Sequence, residues 1–146
     1  MAEKKYSIKT DFSLLALLLI PIAVAVNFVG GQVAVLLKIP LYLDTIGTIM
    51  VGMLCGPWVG GLAGLITNLV LGIAEPTFIP FAIVNVVVGV VTGLCARWDG
   101  FSVWWKWIIS MVLMSLASIV TAAPIVVILY GGITASGTSL ITATLM

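Results

Sequence analysis

The chain has 146 residues, 62% of them hydrophobic and 8% charged, with a formal net charge of +1 and a mean hydropathy of +1.33. A water-soluble domain carries about 25% charged residues, so an aqueous surface cannot be assembled from this composition, and no basic tract is present to hold nucleic acid. Histidine is absent, which removes the commonest metal ligand and neutral-pH base and points away from an enzyme or a metal centre.

Lipid tolerates only segments whose backbone hydrogen bonds are internally satisfied, and apolar runs of this length predict helices. The expected fold is an all-α integral membrane protein, a single transmembrane domain over residues 1–146. Charged or Pro/Gly-bearing breaks divide it into six spans, at about 12–37, 43–55, 58–73, 78–96, 103–130 and 133–146.

Lys4, Lys5 and Lys9 precede the first apolar run, and Ala23-Val24-Ala25 has the look of a signal-peptide cleavage site. The run continues to Leu37, however, which makes it a first span, with Pro21 as a kink and Gly30-Gly31 as a weak point. Lys38-Ile39-Pro40 ends it. The second and third blocks flank Gly56-Pro57 and predict a tight helical hairpin. Glu75-Pro76 makes the next turn, and Arg97-Trp98-Asp99-Gly100 is the most polar loop. The fifth block holds Pro124 and is long, tilted or broken. After Gly131-Gly132 the last block is still apolar at Met146, so the sixth helix reads as cut short.

Placing the N-terminus in the cytoplasm puts Lys4, Lys5, Lys9, Arg97 and Lys106 inside and leaves Lys38 outside, as the excess of Lys and Arg in cytoplasmic loops requires. Trp58, Trp98, Trp104, Trp105 and Trp107 then share the cytoplasmic interface, where amphipathic rings are favoured.

With that orientation, Asn27, Gln32, Asp44, Asn68, Asn85, Thr121 and Tyr130 all fall in the outer half of the membrane, whereas the inner half holds mainly small hydroxyls and the cysteines Cys55 and Cys95. A carboxamide facing lipid without a partner costs several kcal/mol, so the asparagines should point into the bundle, and their convergence predicts a polar pocket open to the outside. The alternative is that these groups tie helices together, at about 0.6 kcal/mol per contact. Asp44 stands out, since an acidic residue in a membrane segment is functional by default, although it also suits an N-cap of the second helix. Gly52, Gly56, Gly60 and Gly64, with Gly89 and Gly93, recur at four-residue spacing that permits close backbone approach.

The stretch Tyr42-Leu-Asp-Thr-Ile-Gly-Thr-Ile-Met-Val-Gly52, followed by Gly56-Pro57-Trp58 and a glycine-rich helix ending in Thr67-Asn68-Leu69, resembles the substrate-binding S-components of energy-coupling factor (ECF) transporters. The segment from Ala123-Pro124 to Gly132 and the Ser/Thr-rich helix after it are also similar to that family. The resemblance implies a six-helix subunit in the cell membrane that captures a vitamin or related micronutrient from outside with high affinity. It implies no cofactor on this chain. ATP is used by two cytoplasmic ATPases, which act with a membrane coupling subunit on which the S-component docks. The lack of a P-loop sequence agrees with that division of labour. The family's first-helix AxxxA docking pattern is not kept, since Ile20 follows four residues after Ala16. Ser13, Ala16 and Ala23 are left as the expected docking residues.

The expected substrate site comprises Asn27, Gln32, Asp44, Asn68, Asn85 and Tyr130, with the loop between the first two blocks as part of a lid. A non-transporting membrane scaffold is the leading alternative, with polar groups satisfied internally. A small ion-coupled transporter comes third, because Asp44 is a membrane carboxylate but no inverted repeat is evident.

Overall fold

The computed structural model describes residues 12–38 and 43–130, the side chain of Tyr130 excepted. These form five α-helices: α1 (Leu14–Leu37), α2 (Ile46–Cys55), α3 (Pro57–Ala74), α4 (Ala82–Arg97) and α5 (Trp104–Tyr130). Single 3-10 turns at Leu43–Thr45 and Pro76–Phe78 precede α2 and α4. The predicted sixth helix, 133–146, lies outside the described residues.

Three helices, α1, α3 and α5 as far as Leu129, are long and apolar enough to cross a membrane. The expected second span is shorter than a crossing. Its α-helix has 10 residues, about 15 Å at 1.5 Å per residue, or half of a hydrocarbon core of ~30 Å. The described residues are thus all-α, with three helices of spanning length and α2 as a half-length element, and the six expected crossings are not all present among them.

Local chemistry sets the boundaries. Ser13 Oγ accepts from the Ala16 N–H at 3.3 Å and caps α1, and Lys38 closes the helix in the left-handed region at φ 52°. Gly56 alone joins α2 to α3, at φ 100°, and Pro57 opens α3 where a missing N–H costs nothing. The tight hairpin expected from Gly56-Pro57 is present.

The most extensive packing joins α3 to α4, with α2 against both, α1 against α2 and α3, and α5 chiefly on α4. Glycine sets the spacing. A methyl group on Gly60 would stand 2.7 Å from both Gly52 Cα and Gly89 O, and one on Gly89 would overlap the Gly60 carbonyl. The backbones of α2, α3 and α4 thus touch directly at Gly52, Gly60 and Gly89. Around this contact lies an apolar core of Ala16, Ile20, Ala23, Val51, Val59 and Ala63. Leu14, Leu36, Ile73, Trp104 and Ile128 are at least 74% exposed, which in water would be untenable and in lipid is the expected outer surface.

The helices run antiparallel in sequence, so one end of the bundle collects the second half of α1, the start of α2, the end of α3 and the start of α4. Trp58, Trp98, Trp104, Trp105 and Trp107 lie at the other end, all 42% exposed or more. There Trp107 Nε1 donates to Phe101 O at 2.8 Å, and Phe101 and Trp107 meet edge to face at 4.9 Å.

Candidate functional site

The polar end is organised by hydrogen bonds between elements. Asn27, in the middle of α1, is fully buried. Its amide nitrogen donates to Thr48 Oγ1 at 2.8 Å and Thr67 Oγ1 at 3.0 Å, and its oxygen accepts from the Gly47 N–H at 2.6 Å. Gly47 is the second residue of α2, whose N-cap Thr45 makes no side-chain cap bond. A side chain from α1 therefore caps α2. Asp44, expected as that cap, lies instead in the 3-10 turn ahead of the helix.

Asn68 and Asn85 face each other across α3 and α4. Asn85 Nδ2 donates to Asn68 Oδ1 at 2.7 Å and to the backbone oxygen of Asp44 at 3.3 Å. Asn68 Nδ2 donates to Phe78 O at 2.9 Å, tying α3 to the turn before α4. Asn85 is 2% exposed, and its Oδ1 has no hydrogen-bond partner. Asp44 is 8% exposed. Its carboxylate accepts from its own backbone N–H, and among the described residues no cation offsets its burial.

Of the six residues expected to line a substrate pocket, Asn27, Asp44, Asn68 and Asn85 are brought to one polar end. Gln32 is half-buried farther along α1 and takes no part in these hydrogen bonds, and the Tyr130 side chain lies outside the described residues. Asn27 and Asn68 differ from expectation in accessibility. They are expected to wall an open pocket, and both are 0% exposed, with each amide nitrogen donating to a protein acceptor. The physical reason is proximity. The glycine contacts bring α2, α3 and α4 so close that these amides reach neighbouring elements directly.

The docking face expected at Ser13, Ala16 and Ala23 is likewise turned over. Ala16 and Ala23 are fully buried in the chain's own core, and Ala23 lies against the backbone of Gly47. Ser13 is exposed but serves as the α1 cap. The small Ala23 on α1 admits α2 at Gly47.

Thr48 and Thr67 are not among the residues expected at the site, although both orient Asn27. The available signal was position, since Thr67 adjoins Asn68 and Thr48 lies one turn from Asp44. Thr121, counted among the outer polar residues, bonds back to Ala117 O of its own helix at 2.7 Å.

A separate groove of about 390 Å³ runs between α4 and α5, lined by Val91, Leu94, Trp98, Leu113, Leu116 and Val120 among others. It is apolar, with nothing to orient a hydrogen-bonding solute, so the polar end is the candidate site. Among the described residues no group of three His, Cys, Asp or Glu side chains is placed to hold a metal ion. Comparison with protein-family models, with curated proteins and with solved structures finds no match for this chain.

Proposed function

We propose that the chain is the substrate-capture subunit of an ECF-type importer and receives a vitamin or related micronutrient at the Asp44–Asn85 end. The observation that carries this reading is a cluster of three buried carboxamides at one end of the bundle, with a buried carboxylate at Asp44 and an unused acceptor at Asn85 Oδ1. Groups that served only to join helices would be bonded to saturation, because an unpaired buried acceptor is costly. The sequence likeness around 42–69 supports the same reading, and the energy for release comes from ATPases on partner subunits. Protein purified in mild detergent should carry a small molecule identifiable by mass spectrometry, or bind one member of a vitamin panel with Kd below about 1 μM. Folded protein that co-purifies with nothing and binds nothing in the panel would count against it.

In this proposal the polar end faces outward and the tryptophan end the cytoplasm. With Cys55 and Cys95 replaced by alanine, Pro76→Cys should react with a membrane-impermeant maleimide in intact cells. Ser102→Cys, in the loop before α5, should react only after permeabilisation. The reverse pattern would invert the bundle and abolish an external site.

A membrane scaffold is the second reading, favoured by the saturation of Asn27 inside the chain. It expects no small-molecule ligand and an unchanged assembly when Asp44 is neutralised.

A further inference from the structure

The polar end leaves hydrogen-bond acceptors unused. All three amide nitrogens there are engaged: Asn27 Nδ2 on two threonine hydroxyls, Asn68 Nδ2 on Phe78 O, and Asn85 Nδ2 on Asn68 Oδ1 and Asp44 O. What is left over is the Asp44 carboxylate, with no cation beside it among the described residues, and Asn85 Oδ1, with no donor beside it among them. An ionised carboxylate and a carboxamide oxygen accept and do not donate. They are linked through the Asn85 amide, whose nitrogen rests on the Asp44 backbone. Gly31 of α1 closes over this turn, and a methyl group there would stand 3.4 Å from Asp44 Cβ.

We infer that this acceptor-only pair is a binding site for a monovalent cation, either a sodium ion or the ammonium-type group of an organic solute. A carboxylate buried without a partner is disfavoured by several kcal/mol, and an entering positive charge removes that penalty while supplying the donor or Lewis acid that Asn85 Oδ1 lacks. An anion or an acceptor-rich solute would meet only repulsion. The site offers one carboxylate and a neutral oxygen, whereas ions such as zinc use clusters of nitrogen, sulfur or several carboxylates. The organic form of the inference rests on the capture reading above, and the sodium form does not.

Asp44→Asn separates the carboxylate from the scaffold, because Asn85 is held by the Asp44 backbone oxygen, which the substitution keeps. Thermal midpoints in detergent would be compared in sodium chloride and in N-methyl-D-glucamine chloride at equal ionic strength. Titrations would use the same vitamin panel, with thiamine as its cationic member and pantothenate and biotin as anionic ones. The expected result is stabilisation by sodium, or thiamine binding, that is at least tenfold weaker in Asp44→Asn and regained in Asp44→Glu. Asp44→Asn should remain monodisperse, and should it not, Asn85→Leu supplies the parallel test of the neutral acceptor. Sodium dependence without any vitamin bound would sustain the cation site and defeat the capture reading. Binding of pantothenate or biotin undiminished by Asp44→Asn would sustain capture and overturn the cation site. No response to sodium and no vitamin bound would overturn both.

Discussion

Gly89→Ala is expected to prevent recovery of monodisperse protein, although it adds a single methyl group to a helix interior where alanine normally gains about 0.5–1 kcal/mol over glycine. The added carbon would overlap the carbonyl of Gly60 on α3. Neither backbone can yield alone, since Gly60 is itself pressed against Gly52 of α2. Relief requires moving α4 away from α3, which is the most extensive helix contact in the molecule. Overpacking costs about 1–3 kcal/mol where side chains can adjust, and a backbone-to-backbone overlap belongs at or above the top of that range. Gly61→Ala is the matched comparison. Its methyl group would meet Val90 Cγ2 at 3.0 Å, a side-chain end that can turn, so its net effect should stay within about 1 kcal/mol. Size-exclusion profiles and thermal midpoints in detergent read both variants. Equal behaviour of the two would mean that the three helices are not held at backbone contact.

The same contact shows what the sequence made legible and what it hid. Four-residue glycine spacing on each side of Pro57 foretold close approach, and Gly56-Pro57 foretold the turn. The apolar blocks located α1 and the 3-10 turn with α2 to within a few residues, because hydropathy and helix breakers are local properties. The depth of α2 was not local. A 10-residue helix reads as a short span until its N-terminus is seen to be capped from α1, and no spacing rule connects Asn27 to Gly47. Placing residues along successive helices of alternating direction gathered Asn27, Asp44, Asn68 and Asn85 at one end, where hydrogen bonds connect their elements. It could not distinguish amides consumed by the fold from those left over, which depends on interatomic distances of under 3.5 Å between separate elements. Alanine posed the converse problem. Ala16 and Ala23 carry no polarity to reveal whether a small face meets a partner or its own bundle, and here they meet α2 and α3.

Asn27→Leu should destabilise the protein by about 2–3 kcal/mol, more than any other single polar substitution at this end, despite preserving side-chain size. Leucine cannot accept from the Gly47 N–H, which would be left buried and unpaired at a cost of about 1–3 kcal/mol. The same bond is the side-chain cap that α1 supplies to α2, which places the loss in the upper part of that range. Average interhelical polar contacts in membranes contribute about 0.6 kcal/mol, because a freed side chain finds another partner. A backbone N–H fixed by helix geometry has no such freedom. Thr92→Val provides the contrast. Its hydroxyl donates to Val88 O of its own helix at 2.7 Å and contacts Met114 Sδ at 2.9 Å. Removing it orphans no backbone donor, so a change below about 1 kcal/mol is expected. Hydrogen exchange localises the effect, since the amides of residues 46–50 should exchange faster in Asn27→Leu while those of α4 change little. Similar destabilisation by both variants, without faster exchange at the start of α2, would show that Asn27 does not anchor that helix. Because the 3-10 turn bearing Asp44 leads directly into α2, loosening the anchor should also weaken any ligand held by the carboxylate. Binding should then fall in Asn27→Leu even though Asn27 itself offers no free group to a solute.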